Sequence, residues 1–219
     1  MSARWDGITR AESLLGGAVR IRHEVADAAK RYDWPELLAL LSANPALINA
    51  TRPGGHALYT PLHQAAHGNA PVEVVERLVA MSAWRTLRNA QGETPRDVAL
   101  WRGHGRLLEV LTPVYQHDVP LGRLAAMQAH LHAVIRERVE ELVTRHALRL
   151  PELEPLLEME EAAMWFAVPG MYGGFNITLE GSGEKAHLVS ESWCRVVGGS
   201  GERHEIDAEG SRLVAVGFV

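Results

Sequence analysis

Cysteine is nearly absent from the chain: Cys194 is the single one among 219 residues. No intrachain disulfide can form, and a reducing compartment, the cytoplasm, is expected. Lysine is almost as scarce, with two among the 22 basic residues. Against 27 acidic residues these leave a net charge of −5, which argues against a nucleic-acid binder working through bulk charge. No apolar run approaches the roughly 20 residues of a membrane span, and residues 213–219 are among the longest. Near the N-terminus Asp6 and Glu12 interrupt any apolar core that a signal peptide would need. There is no HExxH and no CxxC, so the motifs imply neither a metal nor a cofactor.

What is present is ordinary globular material, 47% apolar and 22% charged, enough for one large domain or two small ones. Charge is unevenly spread. Residues 1–117 carry 13 basic and 11 acidic groups, whereas 118–219 carry 9 and 16. The first part also contains a repeat. Thr60-Pro61-Leu62-His63-Gln64-Ala65-Ala66 recurs 34 residues later as Thr94-Pro95-Arg96-Asp97-Val98-Ala99-Leu100. Each copy follows a glycine, Gly55 or Gly92, and precedes a second apolar helical pattern: Val72, Val75, Leu78 and Val79, then Leu107, Leu108, Val110 and Leu111. Proline suits the first helical turn because the donor it lacks would be unpaired there, and threonine before it caps the helix.

These residues resemble the ankyrin repeat, a turn followed by two short antiparallel helices. Thr60-Pro61-Leu62-His63 with Ala65 and Ala66 carries the resemblance, which covers about residues 20–115. Arg96 and Asp97 depart from it in the last copy and imply a first helix that is partly exposed or packed on polar groups. A degenerate unit lies upstream, Val25 to Ala29 and then Leu37, Leu38, Leu40 and Leu41. An atypical terminal unit is what a stack requires, since its outer face meets water. The resemblance implies a protein partner on the concave face, where Tyr59, Gln64, His67, Trp101 and Arg102 would lie. Packing of Trp101 on the C-terminal part of the chain is the alternative.

From Leu121 apolar residues recur at steps of three and four, predicting an amphipathic helix to about Leu148. Pro151 then opens an expected second, acidic helix to about Ala163, carrying Leu153, Leu156, Leu157 and Met159. Beyond Met164, strand-like runs alternate with glycine-rich breaks, which reads as an antiparallel meander of four or five strands under the long helix. The fold class is therefore α+β: an ankyrin-type helical solenoid over 1–117, then a packed α+β domain over 118–219. Residues 213–219 are apolar on both faces, so that strand is expected to be central in the sheet or buried at a homodimer interface.

Candidate chemistry is thin. His63 and His67 share a helix face, whereas His130 and His132 point about 200° apart on a helix and cannot easily share a metal. Cys194 alternates away from Glu191 and Trp193 and is expected to face the core. The loop at 198–202 and the stretch at 169–175 read as turns. The leading functional reading is a cytoplasmic protein-binding module. The alternative is a small-molecule binding protein or enzyme, its pocket between the long helix and the sheet and its ligand held by Tyr172, Glu191, Arg195 and His204. The connection between the two parts is short and proline-stiffened by Pro113 and Pro120, so both are expected to melt in one transition. Leu131→Asp should then lower the midpoint for both parts together; two separate calorimetric transitions would contradict this.

Overall fold

The computed structural model describes residues 3–195 and 199–217. It is an α+β protein whose chain divides into two compact units, residues 8–113 and residues 1–7 with 114–219. The first seven residues thus belong with the C-terminal unit, a boundary that differs from the expected division at 117.

Unit 8–113 is made of helix pairs. They are α1 (Gly16–Arg31) with α2 (Trp34–Ala43), α3 (Pro61–His67) with α4 (Val72–Ala80), and α5 (Pro95–Trp101) with a 3-10 turn at Gly105–Leu107. α3 packs against both α1 and α5. Thr60 and Thr94 act as caps, accepting from the backbone N–H of His63 and of Asp97, and proline fills the first helical position each time. The departure at Asp97 therefore keeps the capping chemistry: its carboxylate accepts from the Thr94 backbone N–H at 2.9 Å and from Oγ1 at 2.8 Å. Leu37, Leu41, Leu62, Val75, Leu78, Val98 and Leu107 form the core, and Ala65, Ala66 and Ala99 allow the close helix contacts. Leu100 and Trp101 on α5 are 55% and 54% exposed.

The second unit is a six-stranded mixed sheet in the order β1 (Ala3–Trp5), β2 (Ala163–Val168), β3 (Gly173–Glu180), β4 (His187–Cys194), β5 (Ser200–Ile206), β6 (Ser211–Val216). β2 to β6 form the antiparallel meander, and β1 adds to β2 in parallel. Gly173 and Gly174 are required in β3: a Cβ there would meet the Trp193 carbonyl oxygen at 1.9 Å and that of Phe166 at 2.1 Å. One long helix, α6 (Leu121–His146), buries Leu124, Met127, Leu131, Val134, Ile135 and Val143 and packs against β4, β5 and β6. It is interrupted at Val139, whose φ of −144° is not helical. Among the described residues, no helix is long and apolar enough to cross a membrane.

Two expectations fail here, and one strand has no counterpart in the sequence analysis. The acidic helix after Pro151 is only a 3-10 turn, Glu154–Glu158. Pro155 falls at the start of that turn, where its missing donor costs nothing, and the crowded Glu158, Glu160 and Glu161 disfavour extension beyond it. β1 was not foreseen, because three residues are too few to show a period. Of the two settings expected for β6, the central one fails: it lies at the edge of the sheet, with Leu213 50% and Val216 74% exposed. Phe218 and Val219, and Gly198 of the expected 198–202 loop, lie outside the described residues.

β1 contributes far more than its length suggests. Trp5 is 4% exposed, its Nε1–H donates to the Arg149 carbonyl at 2.8 Å, and the Arg149 guanidinium lies 5.1 Å from its ring centre. Trp5→Ala is expected to cost about 3–5 kcal/mol, read as a lower urea midpoint for the sheet by circular dichroism. An unchanged midpoint would show β1 to be dispensable.

Candidate functional site

Five rings at helix ends and turns of unit 8–113 form one cluster. Tyr32 ends α1 in the left-handed conformation, φ 60°, which turns its ring back across the stack. Its hydroxyl is hydrogen-bonded to His67 Nδ1 at 2.8 Å. His67 in turn lies edge-on to Trp101, ring centres 6.2 Å apart, and to Tyr59 at 6.0 Å. Trp34 sits 5.6 Å from Tyr32, and the Arg102 guanidinium lies 5.5 Å from the Trp101 ring centre. Tyr59, Gln64, His67, Trp101 and Arg102 were all anticipated on this face, and the ring contacts join four of the five; Gln64 lines the adjoining cavity with Tyr59 and His67. Tyr32 was not anticipated. Its signal lay in Tyr32-Asp33, between two helical patterns, where an αL residue ends one helix and an aspartate caps the next.

Gly68 explains how Tyr32 fits. A Cβ at Gly68 would fall 2.4 Å from the Tyr32 ring, so only glycine lets the ring lie flat against the end of α3. Beside the rings is a cavity of about 460 Å³ whose wall includes Arg22, Lys30, Arg52 and His56 as well as Tyr32 and Tyr59. Arg52 is paired with Asp27, a contact that holds the Asp27 carboxyl below its usual range. Burial, then the nearby Arg102 and His104, push the His67 pKa below its ordinary value. Exposed rings flanked by cations are suited to gripping another protein.

His63 serves structure. It is fully buried, meets Thr60 Oγ1 at 2.8 Å through Nδ1 and donates from Nε2 to the Glu93 carbonyl at 3.1 Å. His130 and His132 reach different acceptors, the carbonyls of Ala208 and Pro151. Among the described residues, no three histidine, cysteine or acidic side chains are placed to hold a metal.

The ligand set expected in the C-terminal sheet does not assemble. β4 and β5 pair Ser190 with His204 and Glu191 with Arg203, so Glu191 and His204 occupy opposite faces of the sheet. Glu191 pairs with Arg203 at 3.6 Å on the face where Trp165 and Trp193 stack, centres 4.9 Å apart. Tyr172 sits in the β2–β3 turn, 75% exposed, and Arg195 is exposed beyond β4. Cys194 is half-buried and opposite Ser200. The strand alternation was legible but the register was not, and register decides which residues share a face.

Two outcomes follow for the ring cluster. Gly68→Ala should expel the Tyr32 ring, break its bond to His67 and cost about 1–3 kcal/mol, whereas Trp101→Ala should stay within about 0.5 kcal/mol of the parent; chemical denaturation of both variants checks this. His67 binds its proton less readily folded than unfolded, so its contribution to stability is full above the unfolded pKa and falls as pH drops toward the folded one. His67→Gln should therefore flatten part of the loss in melting temperature between about pH 7 and about pH 5, and an identical loss in both proteins would contradict the assignment.

No family model matches the chain, and no curated protein matches it. Among solved structures the chain is similar to one described as the predatory endopeptidase Bd0816 from Bdellovibrio bacteriovorus in complex with the immunity protein Bd3460. The sequences are 21% identical over 55% of this chain and 66% of that one, just under two thirds of its length, with a TM-score of 0.36. A likeness that low carries no argument about fold or function.

Proposed function

We propose that residues 8–113 are an ankyrin-type stack that binds a protein partner, in the cytoplasm, on the face carrying Tyr59, Gln64, His67, Trp101 and Arg102. The observation that carries this reading is the run of rings from Trp34 through Tyr32 and His67 to Trp101, joined by contacts of 5.6 to 6.4 Å and ending in a tryptophan that is 54% exposed. Surface aromatics of that size cost solvation unless something covers them, and they are the residues most often dominant in binding. Support also comes from the 34-residue repeat with its two Thr-Pro caps. Lys30 and Arg102 beside the rings favour an acidic segment of the partner, whose binding would weaken with salt. The alternative, a small-molecule binder or enzyme built on Tyr172, Glu191, Arg195 and His204, loses its support because those side chains do not converge.

The test is affinity capture with chemical crosslinking from the source cell, using the parent chain and Trp101→Ala side by side. A protein captured by the parent, lost with Trp101→Ala and released by raised salt is the expected result. A partner retained equally by both, or none captured even after crosslinking, would overturn the reading.

A further inference from the structure

β6 is an edge strand of an unusual composition. After Arg212 it runs Leu213-Val214-Ala215-Val216, with no charge and no proline to discourage pairing, and Leu213, Val214 and Val216 are 50%, 36% and 74% exposed. Its inner edge pairs with β5, and its outer edge pairs with no strand among the described residues. Such an edge is a template for another extended chain.

Directly beneath it, between α6 and the β5–β6 hairpin, is a cavity of about 520 Å³. Leu213 and Val134 supply apolar wall; Glu137, Glu202, His204 and Arg138 supply the polar groups. Arg138 is already committed: it pairs with Glu202 and donates to the Ser200 carbonyl and Oγ at 3.0 Å each. Burial above all holds the His204 pKa below its ordinary value, leaving a neutral ring. The remaining charge in the lining is therefore the exposed carboxylate of Glu137. The surroundings agree in sign, since residues 118–219 carry 16 acidic and 9 basic groups.

We propose that the outer edge of β6 docks an extended segment of another protein and that the cavity beside it receives a lysine or arginine side chain of that segment. The strand supplies main-chain hydrogen bonds without regard to sequence, Leu213 and Val216 supply apolar contact, and Glu137 supplies the preference for a cation. A second copy of this chain is a poor occupant. Symmetric β6–β6 pairing would bring two strongly acidic units together, and β6 offers only Arg212, which is held by Glu205, to fill the partner's cavity. The inference concerns a different unit from the ring cluster, so each can fail without the other.

The experiment uses the full chain and fluorescein-labelled, capped octapeptides of alternating threonine and valine. One has a central arginine, a second a central glutamate, and a third the arginine with N-methyl groups on alternate residues. Fluorescence anisotropy should show binding of the arginine peptide alone, weakened by salt, with about a tenfold loss for Glu137→Gln, an exposed position whose change leaves folding intact. Equal binding of the glutamate or N-methylated peptide, or no binding of the arginine peptide at about 1 mM, would overturn the proposal. So would sedimentation showing a dimer of the free chain that Val216→Asp dissociates.

Discussion

His63 holds the helix stack together at its middle. The ring is fully buried with both nitrogens engaged, one by the cap of its own helix and the other by the Glu93 carbonyl, 30 residues on. The same Glu93 carbonyl also accepts from the Asn89 N–H at 2.9 Å, so the His63 bond ties α3 to the turn that leads into α5. Ala90 N–H donates to the Ala57 carbonyl at 3.0 Å and repeats the link between successive turns. The Tyr59 ring rests 5.4 Å from the His63 ring, so the same residue that joins the repeats also places one member of the exposed cluster.

The rest of that cluster is arranged by small local constraints. A left-handed Tyr32 closes α1, glycine at 68 makes room for its ring, and His67 is hydrogen-bonded to its hydroxyl. None of this is needed to fill the core, since the core beneath is aliphatic. Cations lie on one side of the rings, while the sheet unit is strongly acidic. The two surfaces therefore favour partners of opposite charge. Side chains at one place and a strand edge at the other are each suited to binding another chain.

Much of the helical part was legible because its signal is local. Thr60-Pro61 and Thr94-Pro95 announce helix starts by chemistry that operates within four residues, and the spacing of 34 residues repeats it. Asp97 in place of His63 read as a departure, yet it performs the same capping because either side chain can accept from the threonine N–H. The sheet was legible in its strands and not in its pairing. Alternation in Phe175-Asn176-Ile177-Thr178-Leu179 gave the strand, but only the register placed His204 beside Ser190 and turned Glu191 away. Whether β6 was central or at the edge depends on the order of strands, a long-range property that apolar composition does not encode. Trp5 was invisible for the same reason: its partners are Phe166 across the sheet and Arg149 beyond it.

His63 joins the repeats through a ring that receives hydrogen bonds at Nδ1 and donates one at Nε2. The direct measurement is two-dimensional NMR of the histidine ring nitrogens in the full chain at about pH 7. Because the Glu93 carbonyl can only accept and the Thr60 N–H can only donate, His63 should appear as the neutral tautomer with its proton on Nε2, protected from exchange with solvent. A His63 ring carrying its proton on Nδ1, or one whose Nε2 proton exchanges freely with water, would contradict the account.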